Sequence, residues 1–259
     1  MDKPILNFFD EESLINKKSY TANSSGLERE QLLQKHNITT ALFVFIRENI
    51  ETMVDINKLE PFYIFKNGSN CNECYIYDKK FILAITPLGG PAAGGLMEEL
   101  GFMGITNFFA CGSAGQINHD IDPSHFILVD KAIRCEGTSY SYLPASLYAY
   151  TDKELTDYLA NYLNDNNYKY TTAATWTTDS FYRETQSELE LRVSQGAVSV
   201  EMECASWCAI SKYRGYKFTQ LLYFSDALKQ EGWKWKLDRK ELKKSIINLM
   251  IDCVGKYSK

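Results

Sequence analysis

Long hydrophobic runs are missing from this 259-residue sequence. No stretch approaches the roughly 18 apolar residues that a membrane-crossing helix needs, so no span is expected. The first residues, MDKPILNFFDEESLINKK, lack a basic segment followed by an apolar run, so no signal peptide is expected either. Positive charge is thinly spread. The 28 Lys and Arg stand against 33 Asp and Glu, a net charge of −5, and no basic block forms. Nucleic acid is therefore not an expected partner. Histidine is scarce: there are only His36, His119 and His125, none of them close to the single CxxC pair of Cys71 and Cys74. Such a pair is half a zinc site or a redox pair, and without a second half no metal is expected. The seven cysteines are odd in number, in a chain too large to need disulfide staples, which points to reduced thiols in a cytoplasmic protein. Cys204 and Cys208, one helical turn apart, read as small core residues.

What is present is an ordinary globular balance, 45% hydrophobic and 24% charged, enough for one sizeable core. Residues 1–38 are polar and read as an irregular N-terminal segment packed on a domain formed by residues 39–259. From Thr40 onward, strands and helices alternate. TALFVFI is a buried strand, and RENIETMVDI after it has helical spacing. YIFK and YIYDKKFILAIT read as strands, the latter broken by a turn at Asp78-Lys79-Lys80. LGGPAAGGLMEELG opens a helix, with Pro91 suited to its first position. TNFFACG and FILVDKAI are further strands, and DKELTDYLANYLND is an amphipathic helix. YKYTTAATWTTD is a strand, a helix follows around SELELRV, and AVSV is a short strand. EMECASWCAISKYRG is a helix ended by Gly215, KFTQLLYF is a strand, and LDRKELKKSIINLMIDCVGK closes the chain as a helix. Strands separated by helices predict a single α/β domain with a mixed, mainly parallel central sheet flanked by helices.

Ligands of such sheets sit at the C-terminal ends of strands, and four polar sets fall there. Gly112-Ser113-Ala114-Gly115 follows TNFFAC; it reads as an anion-binding loop of backbone N–H groups, or as a tight turn that needs glycine. Glu201 and Glu203 stand two apart at the head of an apolar run. A strand-to-helix switch after Val200 brings both to one cavity, where a carboxylate can accept both vicinal hydroxyls of a ribose and stabilise a sugar ring turning cationic. An acidic first helical turn is the alternative, and it suits Glu201 better than Glu203. Ser225-Asp226, after LLYF, offers a partly shielded acid or a turn residue. In TWTTDSFYRET, Phe181 can stack on a flat base while Arg183 or Glu184 touches its edge; local core is the other reading.

Together, GSAGQI, SFYRET, SVEMECAS and FSDAL, in this order, resemble the nucleoside phosphorylase and nucleosidase superfamily, as does IRCEGTSYSYLP. That superfamily includes hexameric purine nucleoside phosphorylase, uridine phosphorylase and methylthioadenosine nucleosidase. The resemblance covers roughly residues 40–250 and implies that Met202 and Glu203, with Glu201, bind the ribose. It implies that Phe181, Arg183 and Ser225 meet the base, that Asp226 protonates a purine leaving group, and that Arg239 assists that acid. Gly112 and Ser113 correspond to the phosphate side. The sequence departs from the family in two places. FIREN stands where a glycine-rich, arginine-containing element is usual, and Ala110 stands where an arginine is usual. Arg47 is the expected substitute on phosphate, with Arg134 or a neighbouring subunit as further sources, and Glu48 falls near the water-activating glutamate of nucleosidases. The expectation is thus a cytoplasmic nucleoside phosphorylase of purine salvage, using inorganic phosphate and no cofactor or metal. It would work as a homo-oligomer, a dimer or a hexamer built as a trimer of dimers. A hydrolytic nucleosidase and a catalytically weak nucleoside-binding protein are the alternatives.

Overall fold

Thr40–Val44 (β1) is buried at every position, as its unbroken apolar run requires. Its side chains alternate between two cores: Ala41 and Phe43 enter one, Leu42 and Val44 the other. A strand buried on both faces needs layers on both sides, and the rest of the chain supplies them. The computed structural model describes residues 11–22, 24–46, 50–67, 70–229, 232–235 and 240–258.

Over its described residues the N-terminal segment is largely helical rather than irregular. Lys17–Thr21 (α1) and Ser24–Lys35 (α2) are helices. Asn16 opens α1 with a reciprocal cap: its side chain accepts the Ser19 N–H at 3.1 Å, and Ser19 Oγ accepts the Asn16 N–H at 2.9 Å. Their surfaces are too polar to give an apolar stripe, and the anchors come from elsewhere. Tyr20 donates to Glu99 at 3.1 Å, and Leu33 is buried in the main core. RENIETMVDI, in contrast, forms no α-helix over its described residues. It makes a 3₁₀ turn at Ile50–Thr52, and Met53 and Val54 are buried without one.

Leu59–Asn67 (β2), Asn70–Tyr77 (β3) and Phe81–Ile85 (β4) follow as an antiparallel series, and β4 lies parallel to β1. Gly90–Phe102 (α3), with Pro91 in its first turn, leads into Asn107–Gln116 (β5). Phe126–Cys135 (β6), Tyr148–Tyr150 (β7), Lys153–Asp165 (α4) and Tyr170–Thr178 (β8) come next. They are followed by Gln186–Ser194 (α5), Ala197–Glu201 (β9) and Cys204–Arg214 (α6), which ends at Gly215 as expected. Lys217–Lys229 (β10), Gly232–Trp235 (β11) and Lys240–Tyr257 (α7) complete the order.

The sheet is mixed, with five parallel and six antiparallel pairings among the described residues. The longest ladders, β5 with β10 and β6 with β8, are parallel. Part of the sheet closes on itself. β5 pairs with β10, β10 with β6, β6 with β8, β8 with β9, and β9 returns to β5. β1, β4, β3 and β2 extend from this ring. Residues of α3 and α6 fill one core, residues of α4 and α7 the other.

Two expected strand ends lie further along than the sequence suggested. β5 runs through Gly112–Gln116 instead of stopping in a loop, and β10 continues past Asp226 to Lys229. Each is held by the other, so small and polar residues stay extended where isolated propensity would end a strand.

α3 is locked to the end of α6 by a largely buried ion pair. Arg214 Nε and Nη2 donate to Glu98 at 2.8 Å each, and the Tyr142 hydroxyl adds a bond to the same carboxylate at 3.0 Å. Removing the guanidinium leaves that carboxylate with one neutral donor. We expect Arg214→Ala to destabilise the fold by about 3 kcal/mol and Glu98→Met/Arg214→Met to recover most of the loss. Urea unfolding measures both; equal stabilities for Arg214→Ala and the parent would refute the assignment.

Candidate active site

The architecture of β5 creates an opening. One edge of the strand is paired with β10 along its whole length. The other is paired with β1 as far as Cys111 and with β9 only from Gly115 onward. Between these two partners, Gly112-Ser113-Ala114 presents backbone polar groups to a cavity instead of to a strand. The cavity has a volume of about 600 Å³.

A second feature re-aims the opposite wall. Phe224 pairs with Ala114 and Asp226 with Gly115, so Ser225 is the extra residue of a β-bulge. Bulges bend a strand and redirect its side chains. Asp226 is only 8% exposed yet lines the cavity, and Ser225 Oγ donates to its Oδ1 at 2.6 Å. Gly115, its partner across the ladder, lets Leu228 and Val200 close in beside it. A Cβ there would meet Leu228 at 2.8 Å and Val200 at 3.0 Å, with Asp226 Oδ2 at 3.5 Å.

The third wall is the switch from β9 to α6. Glu201 ends the strand, and its Oε2 accepts the N–H groups of Glu203 and Cys204 at 2.8 and 2.7 Å. Thr177 of β8 donates its hydroxyl to Glu201 Oε1 at 2.5 Å and accepts the Ala205 N–H at 3.0 Å. Glu201 thus occupies the place of a helix cap, satisfying amides that the first turn of a helix leaves unpaired. Glu203 stands at the N-cap position of α6 without capping it. Its Oε1 instead accepts the Gly89 N–H at 2.6 Å, from a residue whose φ of 89° favours glycine.

Of the residues expected from sequence, Gly112, Ser113, Phe181, Glu201, Met202, Glu203, Ser225 and Asp226 all line this one cavity. Arg183 does not line it and sits exposed in a 3₁₀ turn, Phe181–Arg183. Arg47, Glu48 and Arg239 lie outside the described residues, as does the side chain of Cys71. Cys74 is buried and unbridged. Ala110 packs in the core. Arg134 is buried and committed to a loop, donating to Ser139 Oγ at 2.8 Å, Ser146 Oγ at 2.7 Å and the Pro144 carbonyl at 2.6 Å. It organises residues 139–146 and not the cavity.

The structure adds Phe45, Leu88, Tyr182, Tyr223 and Lys243 to the lining, and of the two base-edge candidates read from sequence it places Glu184 there and not Arg183. Lys243 was legible in principle, because it stands on the same helical face as Ile246 and Ile247, which also line the cavity. Nothing in sequence marks Gly89 or Thr177 as partners of the two glutamates.

The family model described as the phosphorylase superfamily matches residues 49–251. A guanosine phosphorylase of Halorubrum lacusprofundi is 26% identical over 132 residues, 51% of this chain and 55% of that protein. A uridine phosphorylase of Thermococcus kodakarensis is 35% identical over 97 residues, 38% of this chain and 35% of the relative. The Escherichia coli uridine phosphorylase is 24% identical over 153 residues, 54% and 60% of the two chains. The match therefore spans between 35% and 60% of the length of these relatives.

Burial dominates the electrostatics. Glu203 is 4% exposed, and loss of water, followed by the nearby charge of Glu201, holds its carboxyl well above the ordinary 4.5. Burial also raises Glu201, against the pull of its Thr177 and amide donors. Burial, then Asp226, then Glu188 push Glu184 up to about 7. Above pH 4.5 the folded protein therefore keeps protons that the unfolded chain gives up. The stability these groups contribute is complete below that value and is lost as pH rises through the raised folded-state range. Glu203→Gln removes one such titration. In urea unfolding at a series of values from about pH 5 to about pH 8, the variant should gain on the parent as pH rises. A stability difference that is flat across that range contradicts a proton-retaining Glu203.

Proposed function

The chain belongs to the phosphorylase superfamily, and on that premise we propose that it is a nucleoside phosphorylase that splits the N-glycosidic bond of a purine nucleoside with inorganic phosphate. The observation that carries this reading is the convergence of three irregular stretches, in β5, in β10 and after β9, on one cavity. The unpaired edge at Gly112-Ser113-Ala114, the buried Glu203 and the bulge-directed Asp226 all face it. These are an anion cradle, an acceptor for hydroxyls and a proton donor, and cleavage of a nucleoside by phosphate needs all three.

In this mechanism Glu203 accepts the vicinal ribose hydroxyls, steadied by the Gly89 amide, with Met202 beside the sugar. Glu201 acts through Glu203, holding the backbone that carries it. As the bond from C1′ to the base breaks, its electron pair leaves with the base, and Asp226 protonates the departing purine. The positive charge on the sugar ring builds up beside the buried carboxyl oxygens of Glu203, preorganised acceptors that stabilise it more strongly than water does. A phosphate oxygen, held by Gly112 and Ser113, then bonds to C1′, so the products are free base and ribose 1-phosphate. Phe181 packs on the base. Lys243 supplies positive charge in the cavity, and Arg47 and Arg239 are assigned to phosphate and to Asp226 from sequence. Both a guanosine and several uridine phosphorylases are among the relatives, which supports phosphorolysis and leaves the base to the residues around Asp226. Purine salvage in the cytoplasm by a homo-oligomer completes the proposal, and the six described cysteines, all unbridged, fit a reducing compartment.

Asp226→Asn should lower kcat/KM on the true substrate by on the order of 10²–10⁴, and Glu203→Gln by on the order of 10²–10³. The melting transition should remain cooperative in both. Nucleosides are to be assayed with and without phosphate, with both products identified. Near-parental activity of both variants would sink the mechanism. Base release independent of phosphate, with free ribose as product, would replace phosphorolysis by hydrolysis.

A further inference from the structure

Four carboxylates line the cavity, Glu184, Glu201, Glu203 and Asp226, against one ammonium, Lys243, among the described lining residues. Two of the four are engaged where α6 begins: Glu201 holds amides and the Thr177 hydroxyl, and Glu203 holds the Gly89 amide. Asp226 takes a hydroxyl from Ser225. Glu184 differs from all three. No described side chain or amide donates to its carboxyl, and the charges acting on it, from Asp226 and from Glu188, are both repulsive. Glu188 is itself paired with Arg192 at 3.0 Å, so that arginine's charge is spent there. A half-buried acid that faces a cavity and, among the described residues, meets only other acids is suited to receive the donors of a ligand.

We propose that Glu184 reads the base, its carboxylate accepting two adjacent N–H groups on the six-membered ring of a guanine-type purine. This assignment rests on the reading of the cavity as a nucleoside site. Guanine presents a ring N–H beside a 2-amino group, which matches the two acceptor oxygens of a carboxylate. Hypoxanthine offers only the ring N–H. Adenine offers an amino group next to a bare acceptor nitrogen. Uracil presents one N–H flanked by two carbonyl oxygens, and both oppose a carboxylate. The preferred nucleoside is therefore guanosine-like, then inosine-like, with adenosine and uridine behind.

The test uses the full chain in phosphate with guanosine, inosine, adenosine and uridine, comparing the parent, Glu184→Gln and Glu184→Ala. The parent should favour guanosine. Glu184→Gln places a donor against a donor, so the guanosine-to-adenosine ratio of kcat/KM should fall at least about tenfold, mostly through a higher KM for guanosine. Glu184→Ala should move the ratio the same way. Calorimetric titration with guanine base provides the second readout. If nucleosides are cleaved but the ratio stays within about twofold of the parent, or if the parent prefers uridine, Glu184 does not read the base and the phosphorylase reading survives. If no nucleoside is cleaved, yet guanine binds and Glu184→Gln weakens that binding about tenfold, the base-reading role stands and the catalytic reading falls.

Discussion

The carboxylate of Glu201, buried against the first turn of α6, is the interaction on which the rest of the site depends. The N-terminus of a helix carries unpaired amides and a partial positive charge, so it is a natural place to bury an anion. Here the anion comes from the residue that ends the preceding strand. The same carboxylate takes a hydroxyl from β8, so one side chain ties two strands and a helix into a fixed corner. Because that corner is rigid, Glu203 can stand free of capping and turn toward the cavity. Two acids that look alike in sequence thus divide the labour: one neutralises the backbone, the other is available to a ligand.

The second constraint is the change of partner along β5. A strand that loses one neighbour before gaining the next leaves backbone polar groups without ladder bonds. In a buried sheet that is costly unless a ligand or water completes them. The gap lies opposite the Ser225 bulge, where β10 is itself irregular. Both irregularities fall on a single pair of strands, and together they turn a continuous ladder into a wall with a recess.

Much of this was legible in the sequence, for reasons that differ by residue. TALFV and FILAI read as strands because burial on both faces leaves an unbroken apolar run. Glu201 and Glu203 stood out because acids at the head of the apolar run in α6 contradict its pattern. The limits of β5 and β10 did not show, because GSAG and SDAL have turn chemistry and stay extended only through each other. The helicity of α1 and α2 was hidden for a related reason: stabilising contacts, such as Tyr20 with Glu99, are made with α3, far along the chain. SFYRET offered Arg183 and Glu184 for the same edge, and the sequence could not choose between them; the structure does, because the acid lies within reach of the Asp226 charge and lines the cavity.

The closed ring of strands also bears on the order in which the molecule can be made. The partner that seals one side of β5 is β10, which leaves the ribosome only after nearly the whole second half of the chain has been synthesised. Pairings so distant in sequence form late, because loop closure must precede any gain from contact. Until then the glycine-containing edge of β5 is an exposed template for strand addition by other chains. Completion of the recess and protection from misassembly are therefore the same event.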